Sequence, residues 1–367
     1  MLYADTTVII MNYQFKITKT DHPKQKPEPN ALEFGKYFTD HMFIMDYSEQ
    51  KGWHDARIIP YAPLCLDPAA SVFHYSIELF EGLKAYSTVN GDIQLFRPDM
   101  NAKRTNRTCE RLCMPTIDEE LYVEAIRALV DLEREWTPKM ENTSLYIRPF
   151  IIATEPFLGV RPAKEFKFVV ILSPVGSYYK TGLQPTKIFV EDEYVRAVQG
   201  GSGAIKTGGN YAGSLKSQEK AHALGFSQVL WLDAIERSYI EEIGTSNAFF
   251  KINGEVYTAP LAGTILAGIT RDSVITLLKE WGVTVREERF TIQEVYDAYD
   301  RGQLEEVFAT GTAAVISPIG VLRWKDSEIV INNGNIGQLS QKLYDELFGI
   351  QTGSVEDKHG WTVKITE

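Results

Sequence analysis

Gly200-Gly201-Ser202-Gly203-Ala204-Ile205-Lys206-Thr207-Gly208-Gly209-Asn210-Tyr211 is the stretch on which the reading of this chain turns. One lysine stands among glycines, with a phenol five residues further on. Glycine carries no Cβ, so backbone there can approach a ligand closely. A lysine in such a place forms a Schiff base when desolvation lowers its ammonium pKa. Taken alone, the loop reads first as a flexible surface turn with a solvated lysine. It is also one residue from a phosphate-binding P-loop, but Ile205 stands where that loop requires glycine. Its weight comes from what the flanking segments add.

Outward from the loop, the pattern predicts a helix from about 210 to 224, closed by Gly225 at the position where a left-handed residue ends helices. A strand over 228–233 follows. Asn253-Gly254 marks a hairpin between Phe249-Phe250 and Val256-Tyr257, because both turn residues tolerate positive φ. A helix is expected over about 270–281, ahead of Gly282. Thr291-Ile292-Gln293-Glu294 spells a capping box. A strand at Val307-Phe308-Ala309 and a final helix over about 336–347 complete this half.

On the N-terminal side, a proline-bearing lead-in over 18–31 precedes a strand-rich stretch. Asn90-Gly91 marks a hairpin between Ala85-Tyr86 and Ile93–Phe96. Pro98 opens a helix to about Cys113. A second helix spans 117–136, with Leu121, Ala125, Leu129, Leu132 and Trp136 on one face. Strands are expected over 144–154 and 166–174. Residues 176–187 hold Gly176, Gly182 and Pro185 and read as a linker. The expected organisation is a smaller α+β domain over 1–175 and a larger mixed domain over 188–367.

Composition narrows the class. The chain has 367 residues, 44% hydrophobic and 24% charged, with a net charge of −11. That acidity argues against nucleic acid, which clustered Lys and Arg bind. Three cysteines and six scattered histidines make neither a disulfide framework nor a metal pattern, so no metal is expected. No apolar run reaches the ~18–20 residues of a membrane span, and Met1–Asp5 lacks a basic n-region. A cytoplasmic location is the expectation. Met11 is a second candidate start.

The chemistry that a lysine-bound pyridoxal phosphate needs can be sought part by part. The ring nitrogen needs a carboxylate, the 3-oxygen a phenol or amide, and the phosphate an anion cradle. Glu242 is the candidate carboxylate, whereas Glu241 beside it reads as a solvated turn residue. Gly263–Thr270 leads into a helix whose first N–H groups, at Ile269 and Thr270, suit an anion; a plain threonine cap is as good a reading in isolation. Gly311-Thr312-Ala313-Ala314 is a second small-residue turn, or simply a tight loop.

Six segments in order carry a resemblance. They are Phe34–Met42, His74–Ala85, Ser144–Pro149, Lys206–Tyr211, Glu242–Asn247 and Ala309–Ala313. Over about residues 30–350 the chain resembles the branched-chain amino acid aminotransferases, pyridoxal phosphate enzymes of fold type IV. The resemblance implies a two-domain α+β fold with a β-barrel-like core in the larger domain. It implies transfer of the amino group of L-leucine, L-isoleucine or L-valine to 2-oxoglutarate, through pyridoxamine phosphate. Lys206 then carries the cofactor and shuttles the proton between Cα and C4′. Tyr211 holds the 3-oxygen and Glu242 the pyridine nitrogen. Arg104, Ile269, Thr270 and Thr312 hold the phosphate, while Leu266 packs on the ring and Thr245 lies beside it. Phe34, Tyr146, Tyr178, Thr245 and Ala313 match the substrate pocket, and Thr312-Ala313-Ala314 the carboxylate site. Arg148 joins them when the substrate is glutamate. Tyr75, Leu158 and Val160 match residues that the family supplies from a second subunit, so a homodimer is implied. Each Tyr and Phe here is, on its own, an ordinary packing residue.

The chain departs from the animal members at one place. Ala314-Val315-Ile316-Ser317 fills the positions of their redox-active Cys-x-x-Cys, so thiol switching there is excluded. Cys109 and Cys113, four apart, read as half-buried helix residues. The competing readings are another fold-type-IV enzyme (a D-amino acid aminotransferase or aminodeoxychorismate lyase), a nucleotide binder, and a non-enzymatic protein on the same scaffold.

Overall fold

The computed structural model describes residues 5–10, 13–176 and 183–365. Two compact units emerge. Among the described residues, one comprises 5–10, 13–176, Lys206–Gly208 and 350–365, and the other 183–205 with Gly209–Gly349.

The first unit is built on a ten-stranded sheet. Its centre is the antiparallel trio His41–Ser48, Glu165–Val175 and Ser144–Ala153. The hairpin expected at Asn90-Gly91 joins Leu83–Ser87 to Ile93–Phe96 with Ala85 opposite Leu95, and Gly91 takes φ 85°. Two helices, Pro98–Arg111 and Glu119–Leu132, cover one face. Ala102, Cys109, Tyr122, Ala125 and Leu129 pack there with Phe43, Leu145 and Phe168 in one buried cluster. Asp118 caps the second helix by accepting the Leu121 N–H at 2.8 Å.

The second unit contains a closed barrel. Strands Ile240–Ile243, Gln228–Leu232, Thr186–Glu191, Val315–Trp324, Leu304–Gly311 and Ser246–Ile252 follow one another, and Ser246–Ile252 pairs back onto Ile240–Ile243. Closure leaves no free sheet edge in that ring. The Asn253-Gly254 hairpin forms as expected, with φ of 50° and 79°. The capping box at Thr291 and Glu294 is present.

Several expectations change. The helix over 210–224 is two, Gly208–Ala212 and Leu215–Ala223. Gly213 and Ser214 are weak helix formers, and the Ser214 hydroxyl donates back to the Tyr211 carbonyl at 2.7 Å. The last helix runs Gln338–Thr352, five residues past the expected end at 347. Glu241 is not solvated: it lies in the strand Ile240–Ile243 and is 7% exposed. Burial raises its carboxyl pKa. Cys109 is fully buried, which pushes its thiol up to about 12, while Cys113 is exposed beyond the helix end. Thr362–Lys364 returns as a strand beside Ile93–Phe96 in the first unit, whereas the boundary at 188 places it with the second. Residues 177–182 of the expected linker lie outside the described residues.

Candidate functional site

The tripeptide Lys206-Thr207-Gly208 packs with the first unit although its chain neighbours belong to the second. The short strand Glu78–Phe80 grips it. The Phe80 N–H donates to the Lys206 carbonyl at 3.1 Å. The Thr207 hydroxyl donates to the Glu78 carbonyl at 2.9 Å and faces its carboxylate at 3.3 Å. The Gly208 N–H donates to Glu78 Oε1. On the helix side, the Lys206 N–H donates to the Thr108 hydroxyl at 3.3 Å. The amine itself stands 4.7 Å from the Phe80 ring centroid. The Arg148 guanidinium lies 4.6 Å from the same ring.

Arg104 is 6% exposed and held by Glu81 through two parallel bonds, Nε to Oε1 at 2.7 Å and Nη2 to Oε2 at 2.8 Å. Asn101 donates to the same carboxylate at 2.7 Å. Burial raises the Glu81 carboxyl, but the charges of Arg104 and Lys206 with these hydrogen bonds outweigh it and leave its pKa below the usual range. A guanidinium has five N–H donors, of which this pair uses two.

Tyr146 and Arg148 alternate on Ser144–Ala153 and so share a face, with Arg148 Nη2 donating to the Tyr146 hydroxyl at 2.8 Å. Phe34, 56% exposed, meets the Tyr146 ring edge-on at 4.8 Å. Gly82 is required there, because a Cβ would come within 2.2 Å of the Tyr146 oxygen. Tyr75 donates to the Leu158 carbonyl, and Tyr75, Leu158 and Val160 are 38%, 60% and 82% exposed. Tyr178 lies outside the described residues.

In the second unit, Tyr211, Glu242, Thr245 and Leu266 line one cavity with Arg196, Ile205, Asn210, Ser214 and Gly244. Glu242 is 3% exposed. Its Oε1 accepts the Leu266 N–H and the Asn247 side-chain amide, both at 3.2 Å, and its Oε2 faces Arg196 Nε at 2.7 Å. Arg196 also donates to the carbonyls of Gly203, at 3.0 Å, and Thr264. Asn210 ties the glycine loop shut through Ser202 and Ile205. Ile269 and Thr270 open the helix Ile269–Glu280, whose N-cap Gly268 has no side chain to satisfy their N–H groups. A Cβ at Gly268 would fall 2.0 Å from the Asn247 side-chain oxygen. Thr312, Ala313 and Ala314 form the turn between two barrel strands, and Val315 after it takes φ 61°, a strained value for a β-branched residue. The buried Thr310 hydroxyl nearby in sequence lacks a hydrogen-bond partner.

These residues fit a phosphorylated pyridine aldehyde by the chemistry of their donors. A buried, hydrogen-bonded carboxylate suits a protonated ring nitrogen, and an uncapped helix start suits a phosphate. Sequence reasoning passes over Glu78, Phe80, Glu81, Thr108, Arg196 and Asn247. Glu78, Phe80, Glu81 and Asn247 lie inside the quoted motifs, and that proximity is the available signal. Arg196 and Thr108 carry no local mark. Among the described residues, no cluster of His, Cys, Asp and Glu is suited to a metal and no helix is long and apolar enough to cross a membrane.

The model of the amino-transferase class IV family matches residues 78–321. Branched-chain-amino-acid transaminase 1 of Bacillus subtilis (strain 168) is 57% identical over 356 residues, covering 97% of this chain and 100% of that protein. Branched-chain-amino-acid aminotransferase 2 of the same organism is 57% identical, covering 95% of this chain and 96% of that one. Among solved structures, the Escherichia coli branched-chain amino acid aminotransferase superposes with a TM-score of 0.69 at 26% identity, over 89% of this chain and 99% of that one. The T.th. branched-chain amino acid aminotransferase with pyridoxamine 5'-phosphate gives 0.73 at 27% identity, over 88% and 98%. Matches of this extent, together with the two sets of side chains described above, place the chain in the class IV aminotransferases, in their branched-chain amino acid branch.

Proposed function

We propose that this protein transfers the amino group of L-leucine, L-isoleucine or L-valine to 2-oxoglutarate, with pyridoxal 5'-phosphate as cofactor, giving L-glutamate and a branched-chain 2-oxo acid. The observation that carries the reading is the Lys206 amine, held 4.7 Å from the Phe80 ring on a tripeptide clamped at three successive residues. The cofactor, when bound, supplies an aldehyde for the amino group and a pyridine ring that withdraws electrons. The protein does the rest. Lys206 Nζ would hold the aldehyde until the substrate amine displaces it, and the freed amine would then take the substrate Cα proton and return it at C4′. Glu242 keeps the ring nitrogen protonated, with Arg196 and Asn247 fixing its carboxylate. Tyr211 holds the 3-oxygen, with Thr245 and Leu266 beside the ring. Arg104 and the N–H groups of Ile269, Thr270 and Thr312 hold the phosphate. Phe34 and Tyr146 offer an apolar wall to the branched side chain. Arg148 offers a charge to the second carboxylate of glutamate, and the turn Thr312-Ala313-Ala314 offers N–H groups to the first.

The exposed Tyr75, Leu158 and Val160, with Phe73 and Phe157 at 61% and 41%, support a homodimer in which they complete the neighbour's pocket. The test is a coupled assay with 2-oxoglutarate and either L-leucine or D-alanine, followed by borohydride reduction and peptide mapping. Glutamate formed from L-leucine, with the tag on Lys206, is the expected result. A tag on another lysine, or preference for D-alanine, rejects the reading.

A further inference from the structure

The catalytic lysine and the two residues after it all belong to the first unit. One side chain contributes most to holding them there. Glu78 sits half-buried at the start of the strand Glu78–Phe80. Its carboxylate takes the Gly208 N–H and faces the Thr207 hydroxyl at 3.3 Å, while its own carbonyl takes that hydroxyl at 2.9 Å. Two residues along the same strand, Phe80 binds the Lys206 carbonyl and underlies the lysine amine. Gly208 leaves no room for adjustment: a Cβ there would fall 2.5 Å from Glu78 Oε1.

We propose that Glu78 is a positioning residue for Lys206, fixing through Thr207 and Gly208 where the amine stands over Phe80. The physical reason is leverage. A displacement of about 1 Å in a reacting group can cost on the order of a hundredfold in rate. On the C-terminal side of Lys206, the Thr207 hydroxyl and the Gly208 backbone N–H are both tied to Glu78 by hydrogen bonds. Burial raises the Glu78 carboxyl, and its bonds to Gly208 and Thr207 and the charge of Arg148 oppose that rise without cancelling it. A protonated Glu78 keeps a carbonyl oxygen to accept the same two bonds, so the role needs an acceptor and not a charge.

This inference rests on the aminotransferase reading above. Its test therefore includes an arm that needs neither cofactor nor turnover. Lys206 in the apoprotein is labelled with acetic anhydride, and the rate is read by peptide mass mapping; kcat and KM for L-leucine are measured on the holoenzyme. Glu78→Ala should label about threefold or more faster and lose roughly ten- to a hundredfold in kcat, with KM moved by less than about threefold. Glu78→Gln, which keeps the acceptor, should recover to within about threefold of wild type on both readings. Gly208→Ala strikes the same contact from the other side. The double variant with Glu78→Ala should be no worse than the poorer single one, because neighbours sharing a contact are non-additive. If Glu78→Ala does not fold, Thr207→Val removes the hydroxyl bond and is read in both arms. Unchanged labelling and kcat, equal damage in Glu78→Gln, or additive losses would overturn the proposal. A wild-type protein that does not transaminate L-leucine overturns the functional reading instead, and the labelling arm still reports on Glu78.

Discussion

Each unit contains one buried arginine–glutamate pair at its candidate site, and on the proposed reading the two pairs give the partners opposite roles. In the first unit Glu81 supports and Arg104 presents. The carboxylate is 1% exposed and is pinned by Asn101 as well as by Nε and Nη2 of the guanidinium. In the second unit Arg196 supports and Glu242 presents. There the arginine is anchored on the carbonyls of Gly203 and Thr264, and the carboxylate lines the cavity with Tyr211 and Leu266. The same ion pair therefore yields a cation in one place and an anion in the other. On the proposed reading, a phosphate would use the first arrangement and a protonated ring nitrogen the second.

The largest expected effect lies at Lys206. Lys206→Ala should reduce turnover by about a thousandfold or more while keeping the far-ultraviolet circular dichroism of the wild type. Residual turnover within about tenfold of wild type would break the scheme. Next comes the presenting carboxylate. Glu242→Ala should keep bound cofactor but lose roughly a hundred- to a thousandfold in kcat, since a buried charge facing a reacting group acts mainly on the transition state.

Removing the supporting members sharpens the contrast. Glu81→Leu and Arg196→Leu each strand a buried charge, and each should cost about 3–5 kcal/mol in denaturant unfolding. Their kinetic signatures should differ: Glu81→Leu weakens cofactor affinity through Arg104, whereas Arg196→Leu lowers kcat through Glu242. Adding Arg104→Leu to Glu81→Leu should restore much of the stability and none of the affinity, because a pair of well-packed apolar residues replaces a buried ion pair at little cost.

The smallest effect concerns a cation outside both pairs. Burial pushes the Lys84 ammonium down from 10.5 to about 8. Below about 8 both folded and unfolded chains carry the proton, and the folded state bears the full desolvation cost. Between about 8 and 10.5 the unfolded chain binds more protons, so stability contributed at this position should rise with pH across that window. Chemical denaturation at pH 7 and pH 10 measures it. Lys84→Met should lose that pH dependence.

Much of the fold was legible because its signals are local. Asn90-Gly91 and Asn253-Gly254 adopt positive φ at one or both residues, and each joins the two strands that the flanking apolar residues announce. Thr291 and Glu294 close the capping box that their spacing spells. The short strand Thr362–Lys364 has no such mark. Three residues carry too little propensity to announce a strand, and only the open edge of Ile93–Phe96 makes them one. The break at Gly213-Ser214 is written in weak helix formers but hidden by the apolar periodicity around it. Glu241 misleads for another reason: alternation along Ile240–Ile243 turns it away from Glu242, yet both positions are buried.

For the site, the sequence by itself named candidates for the groups that the proposed chemistry demands: one lysine among glycines, a phenol, a carboxylate, and a helix start ahead of threonine. Those groups are recognisable from spacing because each lies within a few residues of the turn that presents it. What tertiary structure alone decided is which groups hold them. Glu78, Glu81, Thr108 and Arg196 meet their partners across 130, 23, 98 and 46 positions of chain respectively. Contacts at such separations are set by sheet register and barrel closure, and no local pattern records them.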